Sequence, residues 1–97
     1  MISKQFCVYI LSNRPRGTLY IGVTSNLAQR IGQHREKQVE GFSKRYDLRN
    51  LVWFEMHDTA ESAILREKQI KKWNRIWKLK LIEQTNPSWR DLFGDIV

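Results

Sequence analysis

The sequence predicts a domain that mixes strands and helices, either α+β or three-layer α/β/α, in the order β-hairpin, α, β, α, α. Three observations point there. Two short β-like runs flank a segment of turn residues near the start. A third apolar and aromatic run stands near residue 51. The segments between and after these runs carry helical periodicity with cap residues at their starts.

Taken in order, Phe6 to Leu11 (FCVYIL) is an unbroken apolar run of strand length, which suits a strand covered on both faces. Residues 12–17 (SNRPRG) combine Asn, Pro and Gly, as turns do. Thr18 to Thr24 (TLYIGVT) alternates, with Leu19, Ile21 and Val23 on one face and Tyr20 and Gly22 on the other. Pairing Leu11 near Thr18 closes the hairpin and sets Tyr9 opposite Tyr20. Ser25 or Asn26 caps a helix of about Leu27 to Arg35. Residues 36–50 lack periodicity, carry Lys44, Arg45 and Arg49 around Tyr46, and read as a loop or ragged helix end. Leu51 to Met56 (LVWFEM) is a third strand. "DTAE" at 58–61 has the form of a capping box, with Asp58 as the cap and Glu61 three residues on. It starts a helix of about Thr59 to Lys72. Another spans Asn74 to Gln84 and stops at Asn86-Pro87. "SWRDLF" forms a terminal turn that packs Trp89 and Phe93 onto the body.

Ninety-seven residues make one domain, 1–97. A chain of this size buries roughly two-thirds of the surface its unfolded form exposes, so the core is real but thin. Seventeen Lys and Arg oppose ten Asp and Glu, a net charge of +7. That field attracts polyanions, nucleic acid ahead of an anionic membrane. The single cysteine, Cys7, excludes an internal disulfide and fits a reducing compartment. No Cys/His group has zinc-site spacing. The apolar run Phe6 to Leu11 is too short to span a membrane, and no signal-peptide layout is present, so the expected location is cytoplasmic.

The informative residues are polar ones in apolar places. In the first helix Leu27 and Ile31 mark the apolar stripe, and Arg30 and His34 share it at i+3 and i+7 from Leu27. In the second, Ala60, Ala63, Ile64 and Ile70 mark the stripe, with Glu67 on it or at its edge. Buried charges are costly unless paired. The pattern admits an Arg30–Glu67 ion pair between helices, or a shared polar pocket that also holds Tyr9 and Tyr20. The pocket's inventory suits metal-assisted phosphodiester hydrolysis. One carboxylate can hold Mg²⁺ when water and phosphate fill the other positions. An arginine stabilises charge on a phosphate in transfer. A tyrosine or histidine takes the proton of an attacking water. Because a free phenol has a pKa of about 10, tyrosine in that role needs nearby positive charge.

The second and third helices also carry Lys71, Lys72, Arg75 and Lys78 among seven cations from Arg66 to Lys80, interleaved with Trp73 and Trp77 at i,i+4. Together with Lys44 and Arg45 they are the expected phosphate-attracting surface. The tryptophans read as core, with stacking on unpaired bases as the alternative.

"VYIL" followed eleven residues on by "LYIG" resembles the paired motifs of the GIY-YIG nuclease superfamily, as Val8-Tyr9-Ile10 and Tyr20-Ile21-Gly22. "NLAQRIGQH" and "AILREKQIKKW" resemble its next two motifs. "FSKRY", "LVWFE" and "NPSWRDL" are similar to the small stand-alone bacterial members, which are related to the excision-repair nuclease domain. The resemblance covers nearly the whole chain. It implies an α+β fold, a small three-stranded antiparallel sheet flanked by helices, and DNA cleavage with one divalent ion, Mg²⁺ or Mn²⁺. Carried over, Tyr9 is the general base and Tyr20 its neighbour. Arg30 contacts the scissile phosphate, and His34 assists proton transfer or phosphate binding. Glu67 is the metal ligand. The family's late asparagine is Asn86, with Asn74 as rival. Gly22 lets a helix or the substrate approach closely. Ser12 stands where repair-type members carry a lysine beside the base.

No base-reading module accompanies this core. The expected function is therefore a structure-directed or weakly sequence-specific DNA endonuclease in repair, recombination or processing, with a protein partner supplying specificity. The rivals are a non-catalytic nucleic-acid-binding module of the same fold, an RNA-directed protein, and a domain that meets acidic protein partners.

Overall fold

The middle of the fold is β1 (Phe6–Ser12), flanked in the sheet by β2 (Leu19–Thr24) and β3 (Asn50–His57), all antiparallel. The structure, a computed structural model, describes residues 5–36 and 46–97. Lys44 and Arg45, and most of the loop expected there, lie outside the described residues. β1 is apolar from Phe6 to Leu11 because both its faces are covered. Val8 and Ile10 pack with Ile21, Val52 and Trp53 against Ala63 and Ile70 of α2 (Ala60–Lys72) and Ile82 of α3 (Arg75–Thr85). On the opposite face Tyr9 and Leu11 pack with Leu48, Leu51 and Ile31 of α1 (Leu27–Arg35). The short α4 (Phe93–Ile96) adds Phe93 and Ile96 to that second cluster, while Trp89 enters the first.

The hairpin register differs from the expected one. Ser12 pairs with Leu19, Leu11 with Tyr20, and Tyr9 with Gly22. Thr18 belongs to the turn, since its N–H donates to Asn13 Oδ1 (3.0 Å) while Gly17 N–H donates to Arg14 O (3.0 Å). The shift is two residues, so every side chain keeps its face. Tyr9 and Tyr20 become diagonal neighbours instead of opposite ones.

Three caps set the helices. Asn26, not Ser25, caps α1 by accepting from Gln29 N–H (3.2 Å). Thr59, not Asp58, caps α2 by accepting from Ser62 N–H (3.1 Å). Asn74 caps α3 by accepting from Trp77 N–H (2.9 Å). Two core expectations fail. Ile64 is 41% exposed while Ala63 and Ile70 are sealed, so the buried stripe of α2 is narrower than its sequence pattern. Trp77 is 55% exposed. Trp73 is the extended C-cap of α2, so its i,i+4 spacing to Trp77 crosses a corner between two helices and loses the phase of one.

A bulge in β3 reaches the C-terminal segment. Ile10 pairs with Trp53 and Leu11 with Leu51, leaving Val52 between them. The Val52 carbonyl accepts from Asn86 Nδ2 (3.0 Å). Asn86 is 4% exposed, and its amide also donates to Arg90 O (2.8 Å) and accepts from Arg90 N–H (3.0 Å). It closes a turn in which Trp89 holds φ 59°, a left-handed backbone that bulky residues adopt only under surrounding constraint. Asp91 then accepts from Leu51 N–H (3.1 Å) and from Arg35 of α1 (2.7 Å), tying the end of the chain to the second face.

Candidate active site

Strand alternation puts Tyr9 and Tyr20 on the α1 face, and the 3.6-residue period of α1 lowers Arg30 and His34 onto them. Tyr9 is 1% exposed and His34 3%, with Tyr9 Oη 3.1 Å from His34 Nε2. The Tyr20 ring lies 6.2 Å from that of Tyr9 and 5.1 Å from that of His34. Gly22 makes this arrangement possible. A Cβ there would sit 2.5 Å from Tyr9 Oη and 2.6 Å from its Cζ, so the phenol is laid from β1 across β2 at the one residue without a side chain. The space beside Gly22 is taken up by Tyr9 itself.

The electrostatics follow from burial and Arg30. Burial pushes the Tyr9 hydroxyl well above its ordinary pKa, and the Arg30 guanidinium beside it only partly opposes that. Tyr9 in turn raises Arg30. Arg30 is also steadied by Gln33 Oε1, 3.3 Å from its Nη1. Burial, then Arg30, lower His34 from the usual 6.5 to about 4. At neutral pH the pair is therefore phenol and neutral imidazole. Either tautomer makes the bond, and the one with Nε2 unprotonated accepts the phenol proton.

This depression has a stability consequence with a definite sign. The unfolded chain takes up the His34 proton below pH 6.5 and the folded chain only near 4, so acid favours unfolding between those values. Urea unfolding titrated from pH 7 to pH 4 is expected to show stability falling by up to about 3 kcal/mol from this group. His34→Gln should flatten that window. An unchanged slope in the variant would assign the acid sensitivity elsewhere.

Glu67 stands apart from this group. Its helix packs through Ala63 and Ile70 on the other face of the sheet, so α1 and α2 do not roof one pocket as the stripes suggested. The Glu67 side chain is 15% exposed at the edge of its stripe, and its carboxylate meets Lys71 Nζ (3.4 Å). Among the described residues no group of three or more His, Cys, Asp and Glu could hold an ion. One carboxylate suits a hard ion that keeps most of its water, such as Mg²⁺, and does not suit zinc.

The remaining expected residues are placed as follows. The Asn86 amide is spent on backbone groups, and the Asn74 side chain on its cap. Ser12 is sealed on the Val8–Ile10 face by alternation, away from the face of Tyr9. Arg75 donates to the turn carbonyls of Arg16 and of Gly17 (2.8 Å) and braces the hairpin. Lys71 and Lys72 are exposed, and Lys78 half-buried. Sequence reading missed two supports. Gln33 lies three residues from Arg30, a legible helical spacing. Glu55 binds His57 (2.7 Å), two residues on in β3, and Arg66 of α2 (3.1 Å); only the second contact, between strand and helix, has no local signal.

The profile of the GIY-YIG catalytic domain matches residues 5–80. The chain is 40% identical to a UPF0213 protein of Syntrophus aciditrophicus over 89% of this chain and 97% of the relative. It is 36% identical to a UPF0213 protein of Staphylococcus saprophyticus over 79% of this chain and 93% of that one. A UPF0213 protein of Staphylococcus aureus is 34% identical over 70% of this chain and 83% of its own length. No solved structure matches. By that match and these relatives the chain belongs to the GIY-YIG nuclease family, among the small bacterial proteins of the UPF0213 group.

Proposed function

We propose that the protein is a divalent-metal-dependent DNA endonuclease, structure-directed or weakly sequence-specific, that works in DNA repair, recombination or processing in the cytoplasm. The observation that carries this reading is the sealed Tyr9–His34 hydrogen bond of 3.1 Å beside Arg30. A neutral phenol is a poor base on its own. Next to a neutral imidazole it can act as one: the Tyr9 oxygen takes a proton from the attacking water while its own hydroxyl proton passes to His34 Nε2. Tyr20 flanks the pair, its ring 5.1 Å from that of His34. Arg30 contacts the scissile phosphate and offsets its growing charge. Glu67 would hold one Mg²⁺ or Mn²⁺, which supplies positive charge against the phosphate when bound. To meet residues from both faces a phosphate would have to sit at a sheet edge, and β2, over whose Gly22 the Tyr9 ring lies, is such an edge. Lys71, Lys72, Arg75 and Lys78, with Lys44 and Arg45, attract the rest of the backbone. No described helix is long and apolar enough to cross a membrane. A protein partner supplies further specificity.

The test uses supercoiled plasmid, single strands, flaps, junctions and RNA, each with Mg²⁺, Mn²⁺ and EDTA, for the wild type and Glu67→Ala. Cutting should need the metal and fall at least about 100-fold in the variant. Binding without cutting, equal in both proteins, would select the non-catalytic nucleic-acid-binding module instead. Best cutting of RNA would reassign the substrate class.

A further inference from the structure

A second feature lies away from the tyrosines. Where α2 turns into α3, Arg66, Trp73, Trp77, Lys80, Leu81 and Gln84 line an open groove of about 330 Å³. The two indole rings stand edge to face, 6.0 Å apart. The Arg66 guanidinium lies 5.3 Å from the Trp73 ring centre and is fixed by Glu55 Oε1 at 3.1 Å. Asn74 caps α3 through the Trp77 N–H itself and so holds that indole's backbone in place. Trp73 is packed partly against the core, whereas Trp77 is 55% exposed. A large aromatic left in solvent, on a braced backbone and in one groove with a fixed guanidinium, is an unusual use of surface.

We infer that this groove binds an unpaired base of the DNA strand by stacking it on Trp77. The inference rests on the endonuclease reading and names its substrate class: DNA with a single-stranded segment, as in a flap or branch. Three observations favour this occupant. Among the described residues the lining holds exposed Lys80 and the Glu55-paired Arg66 and no acidic residue, which fits a polyanion. Indole faces accept any base, and guanidinium adds to the stack. Gln84 and Lys80 offer polar groups to a base edge or phosphate. A second copy of this chain fits poorly, because apposing this face with itself would bring like charges together.

Of the four tryptophans, Trp53 and Trp89 are buried and out of reach of an added strand, so quenching of the intrinsic fluorescence on titration reports the groove. The experiment titrates wild type, Trp77→Ala and Trp77→Phe with oligo(dT) and with a blunt duplex of the same length, in EDTA. Fluorescence and anisotropy are both read, and circular dichroism checks the fold. Oligo(dT) should quench the wild type. Trp77→Ala should weaken single-strand binding roughly tenfold or more and leave duplex binding within about threefold, while Trp77→Phe keeps most of the affinity. Equal single-strand affinity in wild type and Trp77→Ala would overturn the proposal. So would an equal loss on duplex, which would mean a general phosphate contact, or a wild-type dimer that Trp77→Ala dissociates. Because binding is read without metal, it stands or falls independently of Glu67-dependent cutting.

Discussion

Tyr9→Phe is expected to lower DNA cleavage by about 10²–10⁴-fold, the range for removing a positioned proton acceptor, while the protein stays folded. The ring keeps its place across Gly22, and only the hydroxyl that meets His34 Nε2 is lost. The stability cost is about 1–3 kcal/mol, because His34 is buried and one ring nitrogen loses its partner. Urea unfolding and plasmid cutting separate the two effects. If the variant cuts within tenfold of wild type, the proton acceptor is His34 itself, and Tyr9 only orients it.

Gly22→Ala is expected to act through the same phenol. The new methyl would lie 2.5 to 3.0 Å from three atoms of Tyr9, too close for any real contact. Tyr9 is 1% exposed, so its ring cannot swing into solvent. Overpacking of this kind costs about 1–3 kcal/mol. An ångström of displacement at a reacting oxygen costs about 100-fold in rate. The variant should therefore cut at least about 100-fold more slowly, with a lower urea midpoint and unchanged salt dependence of DNA binding. Wild-type cutting by Gly22→Ala would show that the crossing of β2 by Tyr9 is incidental.

Much of this site was legible because local rules decide it. Alternation fixed the face of Tyr9 and Tyr20 even though the register was off by two, since a shift of two preserves the face. Helical spacing placed Arg30 and His34 inward, and the observed span of α1, Leu27–Arg35, is the expected one. What was not legible depends on distant partners. The hairpin register follows from how the Asn13 side chain and the Arg14 carbonyl close the turn. Which face each helix covers depends on the path of the whole chain, and that separated Glu67 from the tyrosines. Trp73 and Trp77 both read as core from their apolar character, but the corner at Asn74 turns Trp77 out to solvent while Trp73 stays partly packed. Asn86 gave no local sign that its partners would be a bulged carbonyl and a left-handed turn.

The strand order β2-β1-β3 carries a consequence for biogenesis. β2 follows β1 directly, but the other partner of β1 is completed only at His57. At about 5–20 residues per second, a ribosome leaves the second edge of the hairpin open for roughly 2–7 s after β2 is made. During that interval Phe6 to Leu11, the most apolar run of the chain, presents unpaired N–H and C=O groups that any other strand can zip onto. Expression yield should thus respond to synthesis speed through residues 25–50 and to temperature, independently of how stable the finished domain is.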